Sequence, residues 1–123
     1  MEKVEVKERF TTYDDCFLDN ETRLLWSRNA ISAKFYEATR HAGFIDVKDR
    51  AWYIPTIEEL VTLMDIPTNY EIYQMIKDKE IWAHSPYYPD RRMGWTVNTK
   101  RRNIYVTDKQ SDAHIIYVCR DLQ

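Results

Sequence analysis

Trp52-Tyr53-Ile54-Pro55-Thr56-Ile57-Glu58-Glu59-Leu60 carries a strand, a proline stop and a capped helix within nine residues. The apolar residues 52–54 predict a short strand. Pro55 holds Ile54 extended while offering no N–H to continue a ladder. Thr56 then opens a helix, because its hydroxyl can accept from the Glu59 N–H while the Glu59 carboxylate reaches back to the Thr56 N–H, the reciprocal capping box. Glu58 and Glu59 therefore read as helix-starting residues that complement the dipole, not as catalysts.

Outward from this run, residues 13–17 and 24–28 predict two strands joined by the polar turn Asp19-Asn20-Glu21-Thr22. Ser32 is a plausible N-cap for a helix with Phe35, Ala38, Thr39 and Ala42 on its inner stripe and Gly43 at its stop. Downstream, the helix from Thr56 buries Leu60, Leu63 and Met64 before Pro67, and residues 70–79 place Ile72, Met75 and Ile76 at helical spacing. Strands are predicted at 80–84, 94–98, 103–107 and 115–120. The fold class is α+β, two helices packed on a twisted, mainly antiparallel sheet, in one domain over residues 1–123 with 1–9 a loosely attached N-terminal segment. Trp26, Trp52, Trp82 and Trp95 each fall in or beside a predicted strand, and core packing explains most of them.

At 123 residues, 14% of them aromatic, the chain is long enough for one buried core. Only two glycines argue against a phosphate-cradling loop, and a net charge of −2 gives no general reason to expect nucleic acid. No apolar stretch is long enough to span a bilayer, and the charged N-terminus is unlike a signal peptide, so the expectation is a cytoplasmic protein without membrane insertion. Cys16 and Cys119 can form at most one bridge; buried thiols are the expectation, with a disulfide between the two predicted strands left open. His41, His84 and His114 show no metal-ligand spacing.

Several motifs together resemble the DUF1566, or Lcl C-terminal domain, family. Trp52 to Leu60 is similar to its W-R-[LM]-P-T-x-x-E-L signature, Asp19-Asn20-Glu21-Thr22-Arg23-Leu24-Leu25-Trp26 to its D-x-x-T-G-L-x-W hairpin, and Phe35-Tyr36-Glu37-Ala38 to the helix pattern that follows. Ile81-Trp82-Ala83-His84-Ser85-Pro86-Tyr87, Trp95-Thr96-Val97 and Tyr117-Val118-Cys119-Arg120 resemble its later strands. Arg23 replaces the usual glycine, Tyr53 the usual arginine, and the cysteine that many members pair with the C-terminal one is missing. The resemblance implies a C-type-lectin-like fold. The calcium motifs of sugar-binding lectins and the paired cysteines of formylglycine-generating enzymes are both absent, so neither calcium nor any other cofactor is expected.

The expected function is a non-enzymatic binding module, a bacterial or phage-encoded adaptor, that recognises a protein or an anionic polymer through its loop face. Two alternatives are a phage-encoded inhibitor of a host enzyme and a small enzyme with a cysteine nucleophile. Candidate binding residues are Tyr87, Tyr88, Arg91 and Arg92, which combine rigid aromatics with planar donor forks. Arg101 and Arg102 join them if their turn folds alongside. The alternative is that the tyrosines cover a sheet edge and the arginines are solvated. No catalytic or metal-ligating residue is assigned.

Overall fold

The computed structural model describes residues 3–6, 9–37 and 52–120, the first four by their backbone alone. Among these residues, ten strands form two five-stranded sheets rather than the single sheet expected. In sheet A, β1 (Lys3–Val6), β2 (Phe10–Tyr13), β3 (Cys16–Asp19) and β4 (Leu24–Ser27) run as an antiparallel meander, and β10 (Val118–Arg120) closes it against β4. Sheet B has the order β5 (Ile31–Ala33), β9 (Ala113–Ile115), β6 (Glu80–Trp82), β7 (Met93–Asn98), β8 (Asn103–Asp108), antiparallel except for β6 beside β9. Residues 1–9, expected to be loosely attached, include β1, which pairs with β2.

The split into two sheets happens at Ile116-Tyr117. Residues 115–120 were expected as one strand, but β9 belongs to sheet B and β10 to sheet A, so the chain passes between sheets at these two fully buried residues. Ser27 secures the crossing: its N–H donates to the Tyr117 carbonyl, and its hydroxyl accepts from the Tyr117 N–H, each at 2.9 Å. Both faces of β3 and β4 are buried. Phe17 and Trp26 point to the core shared with the helices, while Cys16, Leu18 and Leu25 point to a second core with Trp52, Trp82 and Tyr117.

The Trp52 to Leu60 run behaves as its residues dictate. Tyr53 makes one bridge to Val118, with N–H to carbonyl bonds of 2.9 Å in both directions, and pairing ends there because Pro55 has no donor. Helix α1 (Ile57–Val61) starts on a complete capping box: Thr56 Oγ1 accepts the Glu59 N–H at 3.2 Å, and Glu59 Oε1 accepts the Thr56 N–H at 2.9 Å. Replacing Thr56 with Ala should lower stability by about 1 kcal/mol. A urea melt settles this, and an unchanged midpoint would show that the cap contributes nothing. Helix α2 (Glu71–Ile76) buries Ile72 and Ile76 as its spacing predicts.

Two further sequence expectations are corrected. Residues 13–17 are not one strand; Asp14 and Asp15 form the turn between β2 and β3, consistent with the poor strand propensity of aspartate. Ser32 is not an N-cap. It sits in β5 opposite His114, because Ile31 and Ala33 find strand partners in Ile115 and Ala113, and among the described residues a 3-10 turn follows at Phe35–Glu37. The other residues of that expected helix, Ala38, Thr39, Ala42 and its stop Gly43, lie outside the described residues, as does His41.

Candidate binding groove

The chain between β6 and β7 is pinned at its start to the strand-proline-helix run. The His84 N–H donates to the Pro55 carbonyl at 2.8 Å, and the Ser85 hydroxyl accepts the Ile57 N–H at 3.1 Å. Trp95, on β7, holds the next stretch: its indole N–H donates to the Pro86 carbonyl at 3.1 Å, and the Tyr87 ring stands edge-on to it, centroids 5.2 Å apart. Tyr87 is therefore half-buried and fixed, whereas Tyr88 is 88% exposed. A tyrosine held out on a braced loop has little left to lose in ordering when it is covered.

Arg92 is committed within its own loop. Its Nε and Nη2 meet Asp90 Oδ1 and Oδ2 at 3.2 and 3.1 Å, and its N–H donates to Oδ1 at 2.9 Å. These bonds hold the Asp90 carboxyl below the usual carboxylate range. Arg92 thus braces the turn into β7 and its charge is locally balanced. Arg91 is exposed and makes no ion pair among the described residues. Arg101 and Arg102 do not lie beside this pair. They occupy the other end of the β7–β8 hairpin, beyond a six-residue strand that spans roughly 20 Å. Arg102 there approaches Asp65 at 3.5 Å.

Beside the braced loop is a groove of about 220 Å³ lined by Phe35, His84, Pro86, Tyr87, Met93 and Lys109. Gly94 forms part of its wall, where an added Cβ would stand 3.4 Å from the Trp82 ring. Lys109 Nζ lies 4.7 Å from the centroid of the Phe35 ring, so the rim is cationic over an apolar floor. Phe35, Met93, Trp95 and Lys109 escaped the sequence reading as site residues. Backbone bonds at the open end of the hairpin, from the Lys109 N–H to the Arg92 carbonyl at 2.9 Å and from the Phe35 N–H to the Lys109 carbonyl at 3.3 Å, help bring them together, and that pairing is not written in local sequence.

A second, more open recess of about 520 Å³ is lined by Thr22, Arg23, Leu24, Glu59 and Arg120. Here Tyr53, standing where the resemblance led us to expect arginine, donates its hydroxyl to Glu59 Oε2 at 2.8 Å. Burial, and then this bond, push the Tyr53 phenol up to about 12. The Glu59 carboxylate is consumed by the cap and the phenol. It is structural.

Cys16 and Cys119 are both buried thiols, in the core shared with Trp52 and Trp82, and no disulfide joins them. Among the described residues, no three His, Cys, Asp or Glu side chains converge as a metal site. No helix among them is long and apolar enough to cross a membrane.

The order of these elements matches a known pattern: a family model, the Lcl C-terminal domain, aligns with residues 15–119. The chain belongs to the Lcl C-terminal domain family. The match takes in the β3–β4 hairpin, the capped helix and the loop that carries the groove, so the braced loop of this Lcl C-terminal domain is part of the family's own span. No curated protein matches the chain.

Proposed function

We propose that this Lcl C-terminal domain is a non-enzymatic binding module that takes a protein partner through the groove and loop between β6 and β7. The observation that carries this reading is the contrast between Tyr87, locked against Trp95, and Tyr88, held fully outward beside the exposed Arg91. Tyrosine and arginine on a rigid support are the residue types that dominate interface energetics. The groove, at about 220 Å³, is smaller than the roughly 300–1,000 Å³ of ordinary small-molecule sites, which favours one inserted side chain of a partner over a metabolite. Its cationic rim favours an acidic flank on that partner. An anionic polymer would use Arg91 and Lys109 but leave the apolar floor unfilled. Burial of both cysteines supports a binding role over nucleophilic catalysis. The return of the C-terminal strand β10 to the sheet of the N-terminal strands, beside β4, supports a C-type-lectin-like scaffold for the loop face.

The test compares the wild-type chain with a Tyr88→Ala, Arg91→Ala double variant as paired baits for host proteins, followed by quantitative mass spectrometry and titration of any protein captured. Arg91 is chosen over Arg92 because Arg92 is needed by its own turn. The variant should keep the wild-type melting temperature, since both side chains are exposed, and bind at least about tenfold more weakly, as hot-spot losses of about 2 kcal/mol each imply. Equal affinity for the variant places the site elsewhere. Capture that heparin or polyphosphate abolishes, with no protein dependent on Tyr88, would favour the polymer reading.

A further inference from the structure

Strand β8 is the outer edge of sheet B, with β7 on one side and no other strand against it among the described residues. Natural edges are blunted by lysine, proline, bulges or brevity. This one has none of these: Asn103-Ile104-Tyr105-Val106-Thr107-Asp108 pairs without irregularity along its whole length with β7, and Ile104 and Val106 are 37% and 36% exposed. The Lys109 N–H donates to the Arg92 carbonyl, which sets the alternation of the antiparallel ladder. Residues 103, 105 and 107 turn their backbone groups to β7, and 104, 106 and 108 turn theirs outward. Asn103 Oδ1 accepts the Ile104 N–H at 2.8 Å, and the Asp108 carbonyl accepts the Ser111 N–H at 2.9 Å, so the open stretch of the edge centres on residues 104–106.

The chemistry along this edge is self-complementary. An antiparallel copy with its two-fold axis at Tyr105 sets Ile104 opposite the second copy's Val106 and Arg102 opposite the second copy's Asp108. The Ile104–Val106 match falls on residues whose N–H and C=O point outward, so it becomes a hydrogen-bonded pair, while Arg102, in the turn before β8, meets Asp108 through side-chain charge. Moving the axis by one residue keeps this parity but sets Arg102 opposite Val106 or Gln110, and the charge match is lost. Moving it by two reduces the overlap and separates Arg102 from Asp108. Asp65, the present neighbour of Arg102, is 85% exposed and 3.5 Å away, a contact readily exchanged.

We propose that β8 is a self-pairing edge through which two copies of this chain join, antiparallel and centred on Tyr105, running sheet B of one copy into sheet B of the other. The interface is short, and its specificity comes from the symmetric pair of Arg102–Asp108 contacts and the Ile104–Val106 contacts between them.

Sedimentation equilibrium of the full chain over a micromolar to millimolar range tests this. The wild type should reach a monomer–dimer equilibrium. Arg102→Asp and Asp108→Arg should each weaken it by roughly tenfold, because each variant turns two symmetric attractions into repulsions. An equimolar mixture of the two variants should recover wild-type dimerisation, since only the heterodimer sets aspartate opposite arginine at both ends. A wild type that stays monomeric to about 1 mM overturns the proposal, as does a dimer indifferent to either charge variant or a mixture that fails to recover. If melting shows that one charge variant does not fold, Val106→Lys replaces it: loss of the dimer supports the edge contact and an intact dimer overturns it.

Discussion

Asp19→Ala is expected to destabilise the chain by about 3–5 kcal/mol, although the position looks from sequence like an acidic turn residue. The carboxylate ends β3 and is fully buried. It accepts from Arg9 Nη2 at 2.9 Å and Nε at 3.3 Å, and from the Glu21 N–H at 3.0 Å. Arg9 in turn donates to the Thr62 carbonyl at 2.7 Å just after α1, and its backbone N–H donates to the Tyr70 hydroxyl at 3.1 Å just before α2. One ion pair thus joins the N-terminal strands to both helices. Removing the carboxylate leaves a guanidinium whose side chain is only 14% exposed, with Glu21 at 3.5 Å as its remaining anion. Asp19→Asn, which keeps an acceptor for Glu21, should cost less. Urea denaturation of both variants measures the effect, and a loss below about 1 kcal/mol for Asp19→Ala would mean that the pair behaves as a solvated surface contact.

The Arg9–Asp19 pair marks where the sequence stops being informative. Elements defined by contacts within a few residues were legible: the capping box at Thr56, the proline stop and the spacing of Ile72 and Ile76. Even the departure at Arg23 keeps its meaning, since this residue has φ 61°, the left-handed conformation for which glycine is the cheapest choice. Features that depend on which distant strands meet were not legible. Ser32 and Phe35 suit a helix by composition, and only the partners Ala113 and His114 on β9 draw residues 31–33 into a sheet. Residues 115–119 form one unbroken apolar run, and nothing local tells Ile116 and Tyr117 that they divide two sheets. The site follows the same rule. Tyr88 and Arg91 are visible in the sequence as exposed anchors, whereas the committed role of Arg92 depends on Asp90 turning back towards it, and the separation of Arg101 and Arg102 depends on the length of β7.

Trp82→Ala should be similarly severe, and its milder relative links the core to the groove. Trp82 is fully exposed to neither solvent nor strand edge: it ends β6 with no accessible surface, and its indole N–H donates to the Ala33 carbonyl at 2.9 Å. Its ring meets Phe35 edge-on, centroids 5.5 Å apart. Truncation to alanine removes this packing and should cost about 3–5 kcal/mol. Trp82→Phe retains most of the apolar contact but leaves the Ala33 carbonyl without its donor, at a cost of about 1–3 kcal/mol. Because Phe35 is the floor beneath Lys109, loosening its support should reach the groove before it unfolds the domain. For Trp82→Phe we therefore expect a folded protein, with a lower denaturation midpoint and weaker binding of any partner that depends on Tyr88. A folded Trp82→Phe protein with wild-type affinity would mean that the partner rests on the outer loop alone, without entering the groove beside Phe35.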